Sequence, residues 1–241
     1  MPGLIAMADR ILIVDDEQAI LDLLKFVLEN DGYEVFCAAR GDTALKLCDK
    51  WIPDLVILDI GLPGLSGLEV CRRLHEDGIP VLVLSSHDRD DQIVEGLEEG
   101  ADDYVTKPFN HRELLLRVEK LLNRAVWKYT PAQPTRRYET SPFRIRDLMI
   151  NPDRAEVRRG NTAILLTPTE LRILELLART PGRPVDIGTI LSEVWGNSDW
   201  KGGAEIVKVN ILRLRRKLEP DPSNPVYLVN RRGLGYYLAE T

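Results

Sequence analysis

Short apolar runs alternate with helix-period segments through the first half of the chain. The runs at residues 11–14, 55–58 and 81–84 are apolar throughout, which is typical of parallel strands covered on both faces. Two more β-rich runs fall at 33–38 and 104–105. Amphipathic spacing predicts helices near 19–29, 42–50, 68–76, 90–99 and 111–124. Five strands alternating with five helices predict a doubly wound α/β domain with a parallel sheet over residues 8–124.

The pattern changes after Arg124. Residues 125–142 contain three prolines and have no clear periodicity, so they are interpreted as a linker. A second domain at 143–241 begins with predicted strands at 143–150, 155–159 and 162–166. Thr167, Pro168 and Glu170 form a capping-box signature that starts a helix ending near residue 180. Further helices at 187–195 and 204–219 and an extended pair at 226–230 and 235–238 complete an α+β domain.

Charge divides the chain in the same way. The 241 residues have a net charge of −6. Residues 1–124 carry 13 basic and 25 acidic side chains, whereas residues 125–241 carry 19 basic and 13 acidic ones. This asymmetry favours two units with different partners, the basic one binding a polyanion. Two unlike solvated surfaces are the alternative explanation.

Three observations bear on location. No run of about 18 apolar residues exists, which excludes a membrane-spanning helix. Residues 1–8 lack the charged start and apolar core of a secretion signal, and Met7 is an alternative start. Cys37, Cys48 and Cys71 are too few for a disulfide framework. We therefore expect a cytoplasmic protein.

Polar residues follow four of the predicted strands. In open α/β sheets, ligands bind outside the carboxyl ends of the strands, where the strand order reverses. Clustered carboxylates there repel one another unless a cation lies among them, and their hard oxygen atoms suit Mg²⁺. A lysine ammonium and a serine hydroxyl beside them could hold a phosphoryl group. The residues are Asp15, Asp16, Asp59, Ser85 and Lys107, the last followed by Pro108, where a cis bond would direct the lysine inward.

The last predicted helix has two different faces. Val207, Ile211, Leu214 and Leu218 form a core stripe. At about 100° per residue, the opposite side holds basic residues suited to the major groove of DNA: Lys208, Val209, Leu212, Arg213 and Arg216. Residues 231–236 place two arginines at a glycine-rich hairpin tip able to enter a minor groove. A solvated basic helix is the alternative.

Three segments of the first half resemble the receiver domain of two-component response regulators: ILIVDDE at 11–17, LDIGLPG at 58–64 and GADDYVTKPF at 100–109. The resemblance covers about residues 8–124 and implies a flavodoxin-like fold. It implies that Asp59 accepts a phosphoryl group from a sensor histidine kinase. Asp16, Asp59 and the Gly61 carbonyl would bind Mg²⁺, with Asp15 acting largely through water. Lys107 would pair with the phosphoryl oxygens, and Ser85 and Tyr104 would form a switch.

Segments 166–171, 205–218 and 232–236 resemble the winged-helix effector domain of the OmpR/PhoB family. This resemblance implies that the partner is promoter DNA with tandem half-sites. Lys208, Val209 and Arg213 would face base edges, and Arg232 would enter the minor groove. The loop 196–203 would contact RNA polymerase. The phosphate backbone would contact Trp195, Asn210, Arg215, Asn230 and Tyr236, and Arg216 belongs to the same DNA-binding set.

The sequence also departs from the family. Glu205 stands where arginine is usual, and an acid there removes or repels one phosphate contact. Lys208 stands where an acid is common and Asn210 where histidine is common, so the preferred DNA sequence is expected to be unusual. Residues matching the dimer face of the receiver are Asp102, Asp103, Glu113, Arg117 and Arg124. Ile93 replaces the usual cationic partner of Glu113, which puts the strength of the dimer in doubt. His87 is expected to influence hydrolysis of the aspartyl phosphate or to be a surface residue.

Two alternatives to a phosphorylation-switched transcription factor stay open. One is a response regulator that acts without phosphorylation, which the complete set of Asp15, Asp16, Asp59 and Lys107 disfavours. The other is a Mg²⁺-dependent aspartyl phosphohydrolase. Phosphatases resembling haloacid dehalogenases place an acid-base aspartate two residues after the nucleophile, where this chain has Gly61. The expectation is therefore a regulator and not an enzyme.

Overall fold

A computed structural model of the chain describes residues 8–85, 95–122, 142–151, 156–196 and 203–240. Contacts divide the chain into two compact units, Met1–Leu122 and Asn123–Thr241. Within the described ranges, no helix is long and apolar enough to cross a membrane.

The first unit alternates strands and helices, as the apolar pattern predicts. Its strands are β1 (Arg10–Val14), β2 (Glu34–Ala38), β3 (Leu55–Asp59), β4 (Val81–Ser85) and β5 (Asp103–Thr106). Its helices are α1 (Gln18–Asn30), α2 (Gly41–Trp51), α3 (Gly67–Glu76), α4 (helical at 95–98) and α5 (His111–Leu122). The predicted start of α4 near residue 90 lies outside the described residues.

These strands form one parallel sheet in the order β2-β1-β3-β4-β5. In β3 and β4 every residue is buried, because helices cover a parallel sheet on both faces. The strand order reverses between β1 and β3, so chain connections leave these neighbours in opposite directions and open a crevice at their carboxyl ends. The predicted doubly wound fold is confirmed.

The second unit is α+β. Its strands are β6 (Phe143–Ile145), β7 (Leu148–Asn151), β8 (Glu156–Arg159), β9 (Thr162–Ile164), β10 (Leu228–Arg231) and β11 (Gly235–Leu238). Its helices are α6 (Pro168–Ala178), α7 (Ile187–Trp195) and α8 (Gly203–Leu218). Strands β6-β7-β8-β9 make one antiparallel sheet and β10-β11 a hairpin, which is consistent with a winged-helix domain.

One strand prediction is wrong. The run at 143–150, expected as a single strand, is the hairpin β6-β7, in which Ile145 pairs with Leu148 across two turn residues. Arg146 in that turn has a φ of 55°, the left-handed conformation that tight hairpin turns require. Asp147 is an ordinary turn residue, but arginine is not a usual residue at a left-handed position, so the turn signal in the sequence is weak.

Helix starts in the second unit follow the expected chemistry. Thr167 accepts a hydrogen bond from the Glu170 backbone, and the Glu170 side chain accepts one from the Thr167 backbone, so the predicted capping box is confirmed. Asp186 caps α7 by accepting from the Thr189 backbone. Helix α8 packs against α6, α7 and β10, and this packing sets which side of α8 stays exposed.

Candidate functional site

Two aspartates and one lysine meet at the carboxyl ends of β1, β3 and β5. The Lys107 Nζ atom lies 2.7 Å from Asp15 Oδ2 and 2.6 Å from Asp59 Oδ2. Asp15 is fully buried and Asp59 is 6% exposed. The Lys107–Pro108 peptide bond is cis, as expected. The structure therefore places these three side chains in one pocket, at the edge where the sequence predicts them.

Backbone amides hold the second oxygen atom of each carboxylate. Gly61 N–H donates to Asp59 Oδ1 at 2.8 Å, and Glu17 N–H donates to Asp15 Oδ1 at 2.9 Å. Each carboxylate thus has one oxygen on the backbone and the other on Lys107. The use of the Gly61 carbonyl as a metal ligand stays a prediction.

The pocket changes the acidity of its groups. Burial raises the pKa of the Asp15 carboxyl, although the Lys107 and Glu17 hydrogen bonds oppose it. Burial acts to lower the pKa of Lys107, but its hydrogen bonds and charge interactions with Asp15 and Asp59 outweigh that effect, so its pKa is raised. Lys107 is consequently a permanent ammonium between the two carboxylates.

A group of carboxylates in the pocket could hold a cation. Oxygen atoms of Asp15, Glu17 and Asp59 all lie within 4.8 Å of one another. Asp16, predicted as a ligand, is exposed and is not in this group. Glu17 lies two residues after Asp15, and its carboxylate is on the same side as that of Asp15. Glu17 was missed, although its spacing of two from Asp15 could have indicated it.

The two predicted switch residues are inside the unit. Ser85 is 1% exposed and Tyr104 is 6% exposed. The Ser85 carbonyl accepts a hydrogen bond from the Lys107 amide at 2.6 Å, which ties the end of β4 to the lysine. His87 lies outside the described residues.

The predicted dimer face is partly internal. Arg117 Nη1 lies 2.9 and 3.0 Å from the two Asp103 oxygens, and its Nη2 atom lies 2.8 Å from Glu113 Oε1. Asp102 has no exposed surface, and it accepts a hydrogen bond from the Val81 amide. Its role as a dimer contact stays a prediction, and in the single chain its carboxylate holds the start of β4. Ile93 and Arg124 lie outside the described residues.

The buried side of helix α8 is wider than the core stripe predicted from the sequence. The predicted core residues Val207, Ile211, Leu214 and Leu218 are at most 1% exposed. In total, nine of the 16 residues of α8 are buried, and at about 100° per residue they span an arc of about 200°. Three residues predicted to contact DNA fall within it.

The prediction that Val209 and Arg213 lie on the exposed side of α8 is wrong, and Asn210 is buried with them. Val209 is 7%, Asn210 0% and Arg213 4% exposed, because α8 packs on two helices and β10 at once. The Asn210 side chain donates to the Ile206 carbonyl at 2.8 Å. Contact of these residues with DNA stays a prediction that requires a change in their surroundings.

Other predicted DNA contacts divide between surface and interior. Trp195 and Tyr236 are buried, and Arg215 is half-buried with its Nε atom donating to the Leu228 carbonyl at 3.0 Å. That bond ties α8 to the hairpin. Four candidates are exposed: Lys208, Arg216, Asn230 and Arg232.

The hairpin β10-β11 with residues 232–234, here called the wing, is fixed by backbone pairing. Val185 and Tyr236 exchange two backbone hydrogen bonds of 2.8 and 3.0 Å. Gly235 has a φ of 115°, and a Cβ atom there would lie 1.9 Å from the Val185 carbonyl oxygen. A cavity of about 400 Å³ lies between the wing, α8 and the start of α7, with Lys208, Asn230 and Arg232 in its lining.

A buried acid organises the chain before the wing. Glu219 is 4% exposed and accepts hydrogen bonds from the amides of Val226, Tyr227 and Leu228 at 2.7, 3.0 and 2.7 Å. The loop expected to contact RNA polymerase falls mostly on residues 197–202, outside the described part of the chain.

Comparison with known proteins identifies both units. Residues 11–119 match the response regulator receiver domain, and residues 161–238 match the C-terminal domain of transcriptional regulatory proteins. The response regulator DrrB of Thermotoga maritima, an OmpR/PhoB homolog, is 31% identical, with 97% of this chain and 100% of that chain covered and a TM-score of 0.50. The chain belongs to the OmpR/PhoB family of response regulators.

Two further solved structures are similar to this chain. A mutant form of RitR shares the fold with a TM-score of 0.73 at 23% identity, over 97% of this chain and 100% of that one. A CheY-like receiver domain protein from Methanospirillum hungatei is 35% identical over 51% of this chain and 99% of its own, with a TM-score of 0.48.

Membership of the OmpR/PhoB family gives each unit its role. The first unit is a phosphorylation-controlled receiver, and the second is a winged-helix DNA-binding domain. The protein is therefore a transcription regulator and not a classical enzyme. Receiver domains bind Mg²⁺ at an acidic pocket, and the carboxylates of Asp15, Glu17 and Asp59 lie close enough together to hold a metal ion.

Proposed function

We propose that Asp59 accepts a phosphoryl group from a sensor histidine kinase and that the phosphorylated receiver dimerises, which promotes binding of two winged-helix domains to tandem half-sites in promoter DNA. The observation that supports this most directly is the position of the Lys107 ammonium, 2.6 Å from Asp59 and 2.7 Å from Asp15. A fixed cation beside the nucleophile stabilises the negative charge of an incoming phosphoryl group without further rearrangement.

In this proposal, a carboxylate oxygen of Asp59 forms a bond to phosphorus as the P–N bond of the kinase phosphohistidine breaks, and the imidazole leaves with the electron pair. Lys107 exchanges its contact with Asp59 Oδ2 for the phosphoryl oxygens. Asp15, Glu17 and Asp59 would hold Mg²⁺, with Asp16 and the Gly61 carbonyl as the ligands that family resemblance implies. When bound, Mg²⁺ neutralises charge on the phosphoryl oxygens.

The signal then passes along β5. The Ser85 hydroxyl moves toward the new phosphoryl oxygens and the Tyr104 ring adjusts its packing, a local change in charge that biases a two-state element. Asp103, next to Tyr104, holds Arg117 through both carboxylate oxygens. This chain of contacts supports a link between the pocket and the α5 face, where Glu113, Arg117 and Arg124 would meet a second receiver.

The remaining assignments follow the same scheme. We assign residues 8–124 to the receiver, 125–142 to the linker and 143–241 to the DNA-binding domain. The loop at 196–203 would contact RNA polymerase. The protein acts in the cytoplasm, where its promoter DNA and phosphodonor are found.

The test is phosphorylation of the full chain by acetyl phosphate with Mg²⁺, followed by intact mass spectrometry. We expect one phosphoryl group on the wild type and none on Asp59→Asn. The control Asp22→Asn removes an exposed carboxylate from α1 and should be labelled as the wild type is. Stoichiometric labelling of Asp59→Asn would refute the assignment of Asp59.

Selection of genomic DNA by the full chain, with and without beryllofluoride as a phosphoryl mimic, tests the second half of the proposal. We expect the mimic to promote binding to paired half-sites. Equal binding in both states would instead identify a regulator that acts without phosphorylation.

A further inference from the structure

The solvent side of α8 presents one narrow stripe of side chains. The exposed residues of α8 are Ala204, Glu205, Lys208, Leu212 and Arg216. The last four follow one another at spacings of three, four and four residues, so they lie along one line of the helix. We call Glu205, Lys208 and Leu212 the exposed stripe. Because a recognition helix contacts base edges mainly through its N-terminal part, Glu205 and Lys208 are placed to meet bases, and Leu212 follows about one turn later on the same line.

Two members of the exposed stripe form an ion pair. Lys208 Nζ lies 2.6 Å from Glu205 Oε1, and the two side chains are 51% and 48% exposed. Lys208 also lines the cavity between α8 and the wing, together with Asn230 and Arg232. The pair therefore presents a hydrogen-bond acceptor, Glu205, beside a donor, Lys208. Both lie next to the cavity whose lining includes the exposed Arg232 of the wing.

The ion pair is nearly neutral as a unit. Binding to the DNA backbone comes from cations that release counterions from phosphates, and a carboxylate beside the lysine opposes this attraction. A carboxylate directed at a phosphate would be repelled. The same pair suits a base edge, where acceptors and donors alternate and net charge is not needed.

The chemistry matches a single base pair. The major-groove edge of a G·C pair presents the guanine N7 and O6 acceptors next to the cytosine amino donor. Lysine donates to the guanine atoms, glutamate accepts from the cytosine amino group, and an apolar side chain contacts a thymine methyl group. Leu212, 38% exposed, is the apolar member of the exposed stripe.

We propose that Glu205 and Lys208 recognise one G·C base pair together, Lys208 donating to guanine and Glu205 accepting from cytosine, while Leu212 contacts the methyl group of a thymine in a neighbouring pair. This inference rests on the proposed DNA-binding function. It makes Glu205 a specificity residue instead of a lost phosphate contact.

A simpler role for Glu205 must be separated from this one. An acid in the first turn of a helix interacts favourably with the helix dipole, and an ion pair at i,i+3 stabilises an exposed helix slightly. Either effect would change the stability of α8 and leave the base preference unchanged. A measurement of base preference therefore distinguishes base recognition by Glu205 from stabilisation of α8.

The test is selection of random duplexes by the full chain in beryllofluoride. We expect the wild type to favour a G·C pair at one position of each half-site. Glu205→Ala should reduce discrimination at that position by about 5- to 150-fold, the range for one good base contact. Leu212→Ala should relax a thymine preference at a neighbouring position. Glu193→Ala, which removes an exposed carboxylate from α7, should leave both preferences intact.

An exchange of the two charges gives the sharpest comparison. The double variant Glu205→Lys with Lys208→Glu keeps the ion pair and the net charge but reverses donor and acceptor. We expect its preferred base pair to reverse from G·C to C·G.

Three results would overturn the proposal: an unchanged preference in the exchanged variant, an unchanged preference in Glu205→Ala, or a gain in affinity of Glu205→Ala that is equal for all sequences. If the wild type itself selected no sequence, the proposed sequence-specific DNA binding would be refuted instead.

Discussion

The receiver pocket and the DNA-binding surface are assembled in different ways. In the receiver, Lys107 meets Asp15 from 92 positions away and Asp59 from 48 positions away, and charges hold the three side chains together. In the second unit, the wing is fixed to Val185 by backbone hydrogen bonds, and the face of α8 is selected by apolar packing. One site depends on side-chain charge and the other on backbone geometry.

The two sites are therefore sensitive to different substitutions. Removal of one charge from a buried cluster leaves the others uncompensated, and the cost is large. Removal of an exposed charge from α8 changes little in the fold, whereas a single added carbon atom at the base of the wing meets backbone. The following predictions test that contrast, in order of decreasing effect.

The largest effect is expected at Lys107. Lys107→Met leaves Asp15 and Asp59 as neighbouring carboxylates with no shared cation, and this should lower the free energy of unfolding of the receiver by about 3–5 kcal/mol. Added Mg²⁺ should restore part of the loss, because it replaces the missing charge. Urea unfolding of the receiver with and without Mg²⁺ measures both effects.

Lys46→Met is the matched control, since Lys46 is exposed on α2, and it should change stability little. A Lys107→Met receiver as stable as the control would show that charge does not hold the pocket together.

The next effect concerns the base of the wing. Gly235→Ala puts a Cβ atom 1.9 Å from the Val185 carbonyl oxygen and forces alanine to a φ of 115°. Strain of this kind costs about 1–3 kcal/mol, and the backbone pairing with Val185 should weaken. Thermal unfolding and amide exchange at Val185 and Tyr236 measure the change.

The control for the wing is Gly233→Ala. Gly233 also has a positive φ, of 77°, but a Cβ atom there meets nothing within 4 Å. If both variants were equally destabilised, backbone conformation alone would explain the loss and close approach to Val185 would contribute nothing.

A smaller effect is expected at the start of α7. Asp186 accepts from the Thr189 amide at 2.9 Å and the Thr189 hydroxyl at 2.6 Å. Asp186→Ala should cost about 1 kcal/mol at neutral pH, and Asp186→Asn much less, because asparagine also caps helices. Denaturant unfolding of the three proteins gives the comparison.

The cap should also depend on pH. Thr189 hydrogen bonds lower the pKa of Asp186, so its stabilisation is complete above the unfolded-state pKa of about 4 and is lost as pH falls through the lower folded pKa. The difference between wild type and Asp186→Ala should shrink in that acidic range. A constant difference down to the lowest pH would contradict the role of the carboxylate.

The smallest effect belongs to an exposed ion pair on α3. Arg73 Nη2 lies 2.7 Å from Glu69 Oε1, and both side chains are about half exposed. Arg73→Gln should change the free energy of unfolding by about 0.3–0.5 kcal/mol, and the difference should disappear in high salt. A loss of free energy of unfolding as large as that expected for Lys107→Met would show that exposed and buried charges contribute equally to stability.

Sequence reasoning located the receiver site well for a topological reason. Any polar residue that directly follows an apolar parallel strand comes to the same edge of the sheet, so Asp15, Asp59, Ser85 and Lys107 could be placed without coordinates. The choice between Asp16 and Glu17 could not be made in this way. It depends on the backbone conformation of the residues after β1, which the strand pattern does not determine.

The rotation of α8 was harder to predict. The apolar stripe at Val207 and Ile211 is visible in the sequence, but it gives only one packed side. Arg213 is buried because α8 packs against α6, α7 and β10 at once. The sequence of α8 alone does not reveal how many elements surround it. The hairpin β6-β7 was missed for a similar reason, since Arg146 adopts a conformation that its residue type does not indicate.

The three amides gathered by Glu219 have a consequence for protection from solvent. Val226 and Tyr227 precede the wing and Leu228 is its first residue, in a region where loop amides usually exchange quickly with water. Because one buried carboxylate accepts from all three, their protons should exchange together, at a single slow rate set by release of that carboxylate. The segment from Glu219 to Leu228 is thus a closed ring, which opens as one cooperative unit and not residue by residue.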